Sequence, residues 1–157
     1  MNFKEFLKEL SCYNPGEIIF VGLGNELRGD DAAGLLFIEK LKDIPGFTGS
    51  LFITARTNPE NYLQKILDSK RNVIVFIDAV RFGGKAGEIS WIDPHDIEHL
   101  SISTHAFSLK MVEQYLQNNR QFDFKYLGIE PLGTNNGDHL SSQVLTQMAV
   151  FFAHTEN

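Results

Sequence analysis

Short continuous apolar runs alternate along the chain with longer segments whose apolar residues recur every three or four positions, and this predicts strands and helices in turn. Phe3 to Leu10 reads as a short amphipathic helix, broken by Asn14-Pro15-Gly16. Ile18 to Val21 reads as a strand covered on both faces. It runs through Gly22 and Gly24 to Asp30 and Asp31, where carboxylates suit the positive end of a helix. That helix, Ala32 to Leu41, is expected to bury Leu35, Leu36, Ile38 and Leu41. A second strand at Leu51 to Ala55 leads to a helix capped by Asn58, opened by Pro59 and running to about Leu67.

Val73 to Ile77 is the most apolar run and ends on Asp78. The connection Arg81 to Gly87 is too short for a helical crossover, so Glu88 to Ile92 is predicted to be antiparallel. Ser103-Thr104-His105 opens a helix to about Gln117, Phe124 to Ile129 is the fifth strand, and Leu140 to Ala153 is the last helix. The chain should therefore be α/β, with a mixed five-stranded sheet, helices on both faces and right-handed parallel crossovers. No internal repeat or linker divides residues 1–157, so one domain is expected.

Composition narrows the function. A net charge of −6 and a pI near 5.3 give no general attraction for nucleic acid or anionic lipid. Cys12 is the only cysteine, which excludes an internal disulfide and a thiolate-rich zinc site. The N-terminal segment is charged and amphipathic, unlike a signal peptide, and no run reaches membrane-spanning length. A cytoplasmic protein without membrane insertion is expected.

Ligands of open α/β sheets bind at the carboxyl ends of the strands. Asp31, Asp78 and His105 converge on that edge in the predicted order of elements. Each has a plainer reading: either aspartate of the 30–31 pair can be a helix cap, Asp78 a satisfied strand-end carboxylate, and His105 a residue behind a Ser103 or Thr104 cap. Taken together, two carboxylates held close resist joint ionisation unless a cation sits between them. A helix N-terminus keeps an imidazole neutral and able to ligate. Two oxygens and one imidazole would leave open positions on zinc, nickel or another divalent ion. His95 and His99 are spaced to share a helical face, but Asp93, Asp96 and Glu98 around them read as a solvated acidic turn. His139 and His154 have no evident partners.

These residues resemble a known family, the nickel-iron hydrogenase maturation endopeptidases, over nearly the whole chain after Glu17. Gly22-Leu-Gly24-Asn25 with Gly29-Asp30-Asp31 and Gly34 is similar to its opening signature, Phe76-Ile-Asp78-Ala to its second acidic strand end, and Ser103-Thr-His105 with Leu109 to its histidine motif. Ala86-Gly-Glu-Ile89, Ile92-Asp-Pro94 and Leu127-Gly-Ile-Glu-Pro131 resemble the branch serving formate-linked hydrogenases.

The resemblance implies a three-layer, phosphorylase/hydrolase-like α/β/α domain with strand order 2-1-3-5-4 and strand 4 antiparallel. It gives Asp31, Asp78 and His105 the nickel-recognition and catalytic positions, with Gly22, Gly24, Asn25 and Asp30 in the active-site loop. It implies hydrolysis of one peptide bond near the C-terminus of the hydrogenase large-subunit precursor, with nickel carried by that substrate and no small-molecule cofactor. Another divalent ion can fill the same ligand set. Residues 1–16 stand as an N-terminal extension, Ser142 replaces a proline often seen before the last helix, and Gly133 to His139 match no family pattern.

The sequence holds no Gly-x-Ser-x-Gly elbow and no His-Glu-x-x-His helix. Two rival readings are a nickel-binding accessory protein that does not cut, and a dinucleotide-binding oxidoreductase. Against the second, Leu27 occupies the third glycine position and no acid ends strand two.

Overall fold

The computed structural model describes residues 1–97 and 106–153. Strands β1 (Ile18–Leu23), β2 (Leu51–Arg56), β3 (Val73–Ala79), β4 (Ile89–Ile92) and β5 (Asp123–Ile129) form one sheet of order β2-β1-β3-β5-β4. β1 pairs in parallel with β2 and β3, β3 pairs in parallel with β5, and β4 lies antiparallel on β5 with Ile89 opposite Ile129. The short connection after β3 thus does what its length requires.

Helices α1 (Phe3–Leu10), α2 (Ala33–Lys42), α3 (Leu63–Asp68), α4 (Ala106–Asn119) and α5 (Ser142–Phe152) complete the three layers. β3 is buried along its whole length, and its side chains alternate between two cores. Val73, Val75 and Ile77 meet α1, α2 and α5, while Ile74 and Phe76 meet α3 and α4.

The N-terminal helix is part of the first core. Phe6 is fully buried and stacks on Trp91 with ring centroids 5.4 Å apart, with Phe37, Phe47 and Phe151 around it. Just beyond the helix, Tyr13 donates its hydroxyl to Asp123 Oδ2 at 2.5 Å, and this bond raises the phenol pKa above its ordinary value. α1 starts at a capping box: Glu5 N donates to Asn2 Oδ1 and Asn2 N to Glu5 Oε2, both at 2.9 Å. Asn2→Ala is expected to lower the unfolding free energy by about 1 kcal/mol, read as a lower urea midpoint.

Local expectations differ from the structure at three places. On α2, Phe37 is fully buried whereas Leu36 is only half-buried, so the apolar stripe is centred one residue further along. Asn58 caps no helix. It accepts from Thr57 Oγ1 at 2.9 Å and donates to Glu60 Oε1 at 3.1 Å, and the chain makes a 3-10 turn over Pro59–Tyr62 before the shorter α3. α5 begins after Ser141, whose hydroxyl accepts from Val144 N at 3.3 Å, leaving Leu140 in the loop.

Candidate active site at the carboxyl edge

β1 ends in a loop that returns immediately against α2. Gly24 has φ +136° and donates its N–H to Arg56 O at 3.1 Å. A Cβ there would lie 1.9 Å from the Asp31 carbonyl oxygen, so only glycine permits this approach. Asn25 N donates to that same oxygen at 3.2 Å, while Asn25 Oδ1 accepts from Leu27 N at 2.9 Å. Gly22 faces α2, where a Cβ would lie 2.6 Å from Ile38 Cγ1, and Gly34 sits on the ends of β1 and β3 with no room for a side chain.

The two aspartates lie in a 3-10 turn, Gly29–Ala32, that packs on β3. Position N-cap of α2 is held by Ala32, without a side-chain cap bond. Asp30, 1% exposed, looks away to the loop between β5 and α5. Its Oδ2 accepts from Leu132 N at 2.8 Å, Gly133 N at 3.2 Å and Ser141 Oγ at 2.8 Å, and its Oδ1 accepts from Ser141 N at 2.7 Å. Backbone bonds reinforce this latch: Asp30 N to Gly133 O at 2.9 Å, Gly29 N to Asp138 O at 3.0 Å and Gly137 N to Leu27 O at 2.8 Å. Asp30 is thereby the clamp of the loop that carries Asp31.

Asp31 is 6% exposed and Asp78 5%, so both acids are buried. Asp78 stands near the end of β3, where alternation turns it to the side of α3 and α4. Its Oδ1 accepts from Ala79 N at 2.8 Å. His105 lies outside the described residues, as do His99 and His154. Among the described residues no group of three His, Cys, Asp or Glu could hold a metal ion.

One further acid escaped the sequence reading. Glu130, 6% exposed and directly after β5, accepts at Oε2 from the backbone N–H groups of Phe82, Gly83 and Gly84 at 2.8, 3.0 and 3.1 Å. It fixes the loop that follows Asp78. The position of Glu130 within the Leu127–Pro131 motif was visible, but its partners, more than 40 residues away in sequence, were not.

Residues 36–153 match the family model described as hydrogenase maturation protease. The hydrogenase 3 maturation protease of Escherichia coli K12 is 32% identical over 115 residues, covering 72% of this chain and 72% of that protein. A crystal structure of a [NiFe] hydrogenase maturation protease from Thermococcus kodakarensis superposes with a TM-score of 0.72 at 32% identity, covering 85% of both chains. A hydrogenase-maturating endopeptidase of Escherichia coli, 20% identical, shares the fold with a TM-score of 0.69 over 84% of this chain and 85% of its own.

The five-stranded mixed sheet with helices on both faces is the three-layer α/β fold of such a protease. The chain belongs to the hydrogenase maturation protease family, and it is a hydrolase that cuts peptide bonds. Membership decides against both the oxidoreductase and the accessory protein that does not cut.

Proposed function

We propose that the protein is a cytoplasmic endopeptidase that removes the C-terminal extension of a nickel-iron hydrogenase large-subunit precursor after nickel insertion. The observation that carries the reading is the pair of buried acids, Asp31 and Asp78, at the carboxyl edge of neighbouring strands in a family of hydrogenase maturation proteases. Asp31, Asp78 and His105 would contact the nickel that the precursor brings. Two carboxylates and one neutral imidazole supply part of a coordination shell, and the rest remains with the substrate's own ligands. A carboxylate at this edge can also accept the proton of an attacking water. The motifs at Ala86–Ile89 and Leu127–Pro131, with the likeness to a hydrogenase 3 maturation protease, support a precursor of the formate-linked branch. Residues 1–16 are an addition to the frame shared by the family.

Shared coordination contributes binding energy only when nickel is present, which makes the metal a signal that cofactor assembly is finished. Nickel-loaded and nickel-free precursor, presented at equal concentration, should therefore differ at least tenfold in cleavage rate. Loss of the C-terminal segment is followed by mass, with circular dichroism to check that nickel has not refolded the substrate. Equal rates would overturn nickel gating; an uncut nickel-loaded precursor would overturn the choice of substrate.

A further inference from the structure

Residues 130–133 follow β5 directly and are bonded to both loops that adjoin the buried acids. On one side, Leu132 N and Gly133 N donate to Asp30 Oδ2 at 2.8 and 3.2 Å, which ties the segment to the turn carrying Asp31. On the other, Glu130 Oε2 accepts from Phe82, Gly83 and Gly84 N–H at 2.8, 3.0 and 3.1 Å, three consecutive groups of the loop that follows Asp78. Between the two attachments stands Pro131, buried and fixed in φ. Both acid-bearing loops are therefore fastened to a single short piece of chain.

Glu130 is itself held through its backbone. Its N–H donates to Glu88 O at 2.9 Å and its carbonyl accepts from Gly87 N at 2.7 Å, so the carboxylate projects from a fixed post. The loop is shaped to meet it. Gly83 has φ +88°, a glycine conformation that lets successive N–H groups converge on one oxygen. A Cβ on Gly84 would lie 2.6 Å from the Phe82 ring and 2.7 Å from Glu88 Oε2, so the turn closes tightly. Phe82 packs on the same core as Phe76, the side of the sheet to which Asp78 turns. Upstream, Asp78 pairs in register with Gly128, and Val80 N donates to Ile129 O at 2.9 Å. From Asp78 to Gly84 the chain is thus anchored on β5 and on the residue directly after it.

We propose that Glu130 is a positioning residue for peptide-bond cleavage: by gathering the 82–84 loop onto the segment that holds Asp30, it sets the place of Asp78 relative to Asp31. This rests on the reading of Asp31 and Asp78 as working acids of the endopeptidase. Burying a carboxylate costs desolvation, which three charge-assisted bonds from backbone N–H groups offset. What those bonds require is an oxygen acceptor of this reach at position 130. Placement at this scale matters, because a shift of about 1 Å can cost roughly a hundredfold in rate.

Two variants of the full chain, similar in size, isolate the acceptor. Glu130→Gln keeps an oxygen that can receive the three N–H groups, and Glu130→Met fills the space without one. Both are assayed on nickel-loaded precursor at a temperature where denaturation curves show every variant folded. Glu130→Met should lower kcat on the order of tenfold with KM within about twofold of the parent, while Glu130→Gln should keep kcat within about threefold. The loss should also run through Asp78, so adding Glu130→Met to Asp78→Asn should slow single-turnover cleavage by no more than about twofold. A folded Glu130→Met that keeps the parental kcat, or changes KM alone, overturns the proposal. So does a double variant in which the two losses multiply, or a Glu130→Gln as slow as Glu130→Met. A parent that leaves nickel-loaded precursor intact removes the endopeptidase reading itself, before any variant is compared, and this one with it.

Discussion

Asp78→Asn is expected to slow precursor processing on the order of a hundredfold or more while the protein stays folded. The substitution is isosteric, and the amide oxygen can still accept the Ala79 N–H that Asp78 Oδ1 holds at 2.8 Å, so the strand end keeps its local bond. Lost is the negative charge of a group only 5% exposed, at the edge where a cation and an attacking water would be received. Removing a positioned acid or base typically costs roughly 10²–10⁴ in rate. No cavity is created, so stability should change by about 1 kcal/mol or less. Single-turnover cleavage of nickel-loaded precursor, beside a denaturation curve of the variant, checks both halves. A folded variant that cuts at the parental rate would remove Asp78 from the mechanism.

Asp30→Ala should do the reverse, striking stability first. The carboxylate accepts four hydrogen bonds from Leu132, Gly133 and Ser141, and its removal strands three backbone N–H groups around a buried void. Hydrogen bonds to a charged group contribute roughly 1.5–3 kcal/mol each and are not additive within one cluster, which puts the expected loss at about 3–5 kcal/mol. For a domain of this size that lowers the melting temperature by roughly 10–20 °C. Activity should fall as well, because the same clamp holds the turn carrying Asp31. The contrast is the informative part: an Asp30→Ala protein as stable as the parent would mean that the latch to the 132–141 loop carries no weight.

The architecture was legible because its signals are local. Ile18–Val21 and Val73–Ile77 are continuous apolar runs of strand length, as strands covered on both faces require, and the seven residues Arg81 to Gly87 leave no room for a crossover helix. What the pattern could not give was the division of labour between Asp30 and Asp31. Adjacent identical residues carry the same local signal, and only the loop arriving from β5 makes Asp30 the clamp. Glu130 was hidden for the same reason. Phe37 and Leu36 are both strongly apolar, and the pattern alone does not say which of them goes inside. The role of Phe6 was likewise invisible before Trp91 and Phe151 were known to surround it.

The latch at Asp30 also dictates an order of events on the ribosome. Its partners lie 102 to 111 residues further along the chain, so β1 and the acid-bearing turn emerge long before anything exists to hold them. Such distant contacts form late, after the entropy of closing the intervening chain has been met. A nascent protein ending before Leu132 would carry both aspartates with the clamp unmade. The turn that carries Asp31 is therefore latched only after Leu132 to Ser141 have been synthesised, so truncation before Leu132 removes the clamp without touching either aspartate.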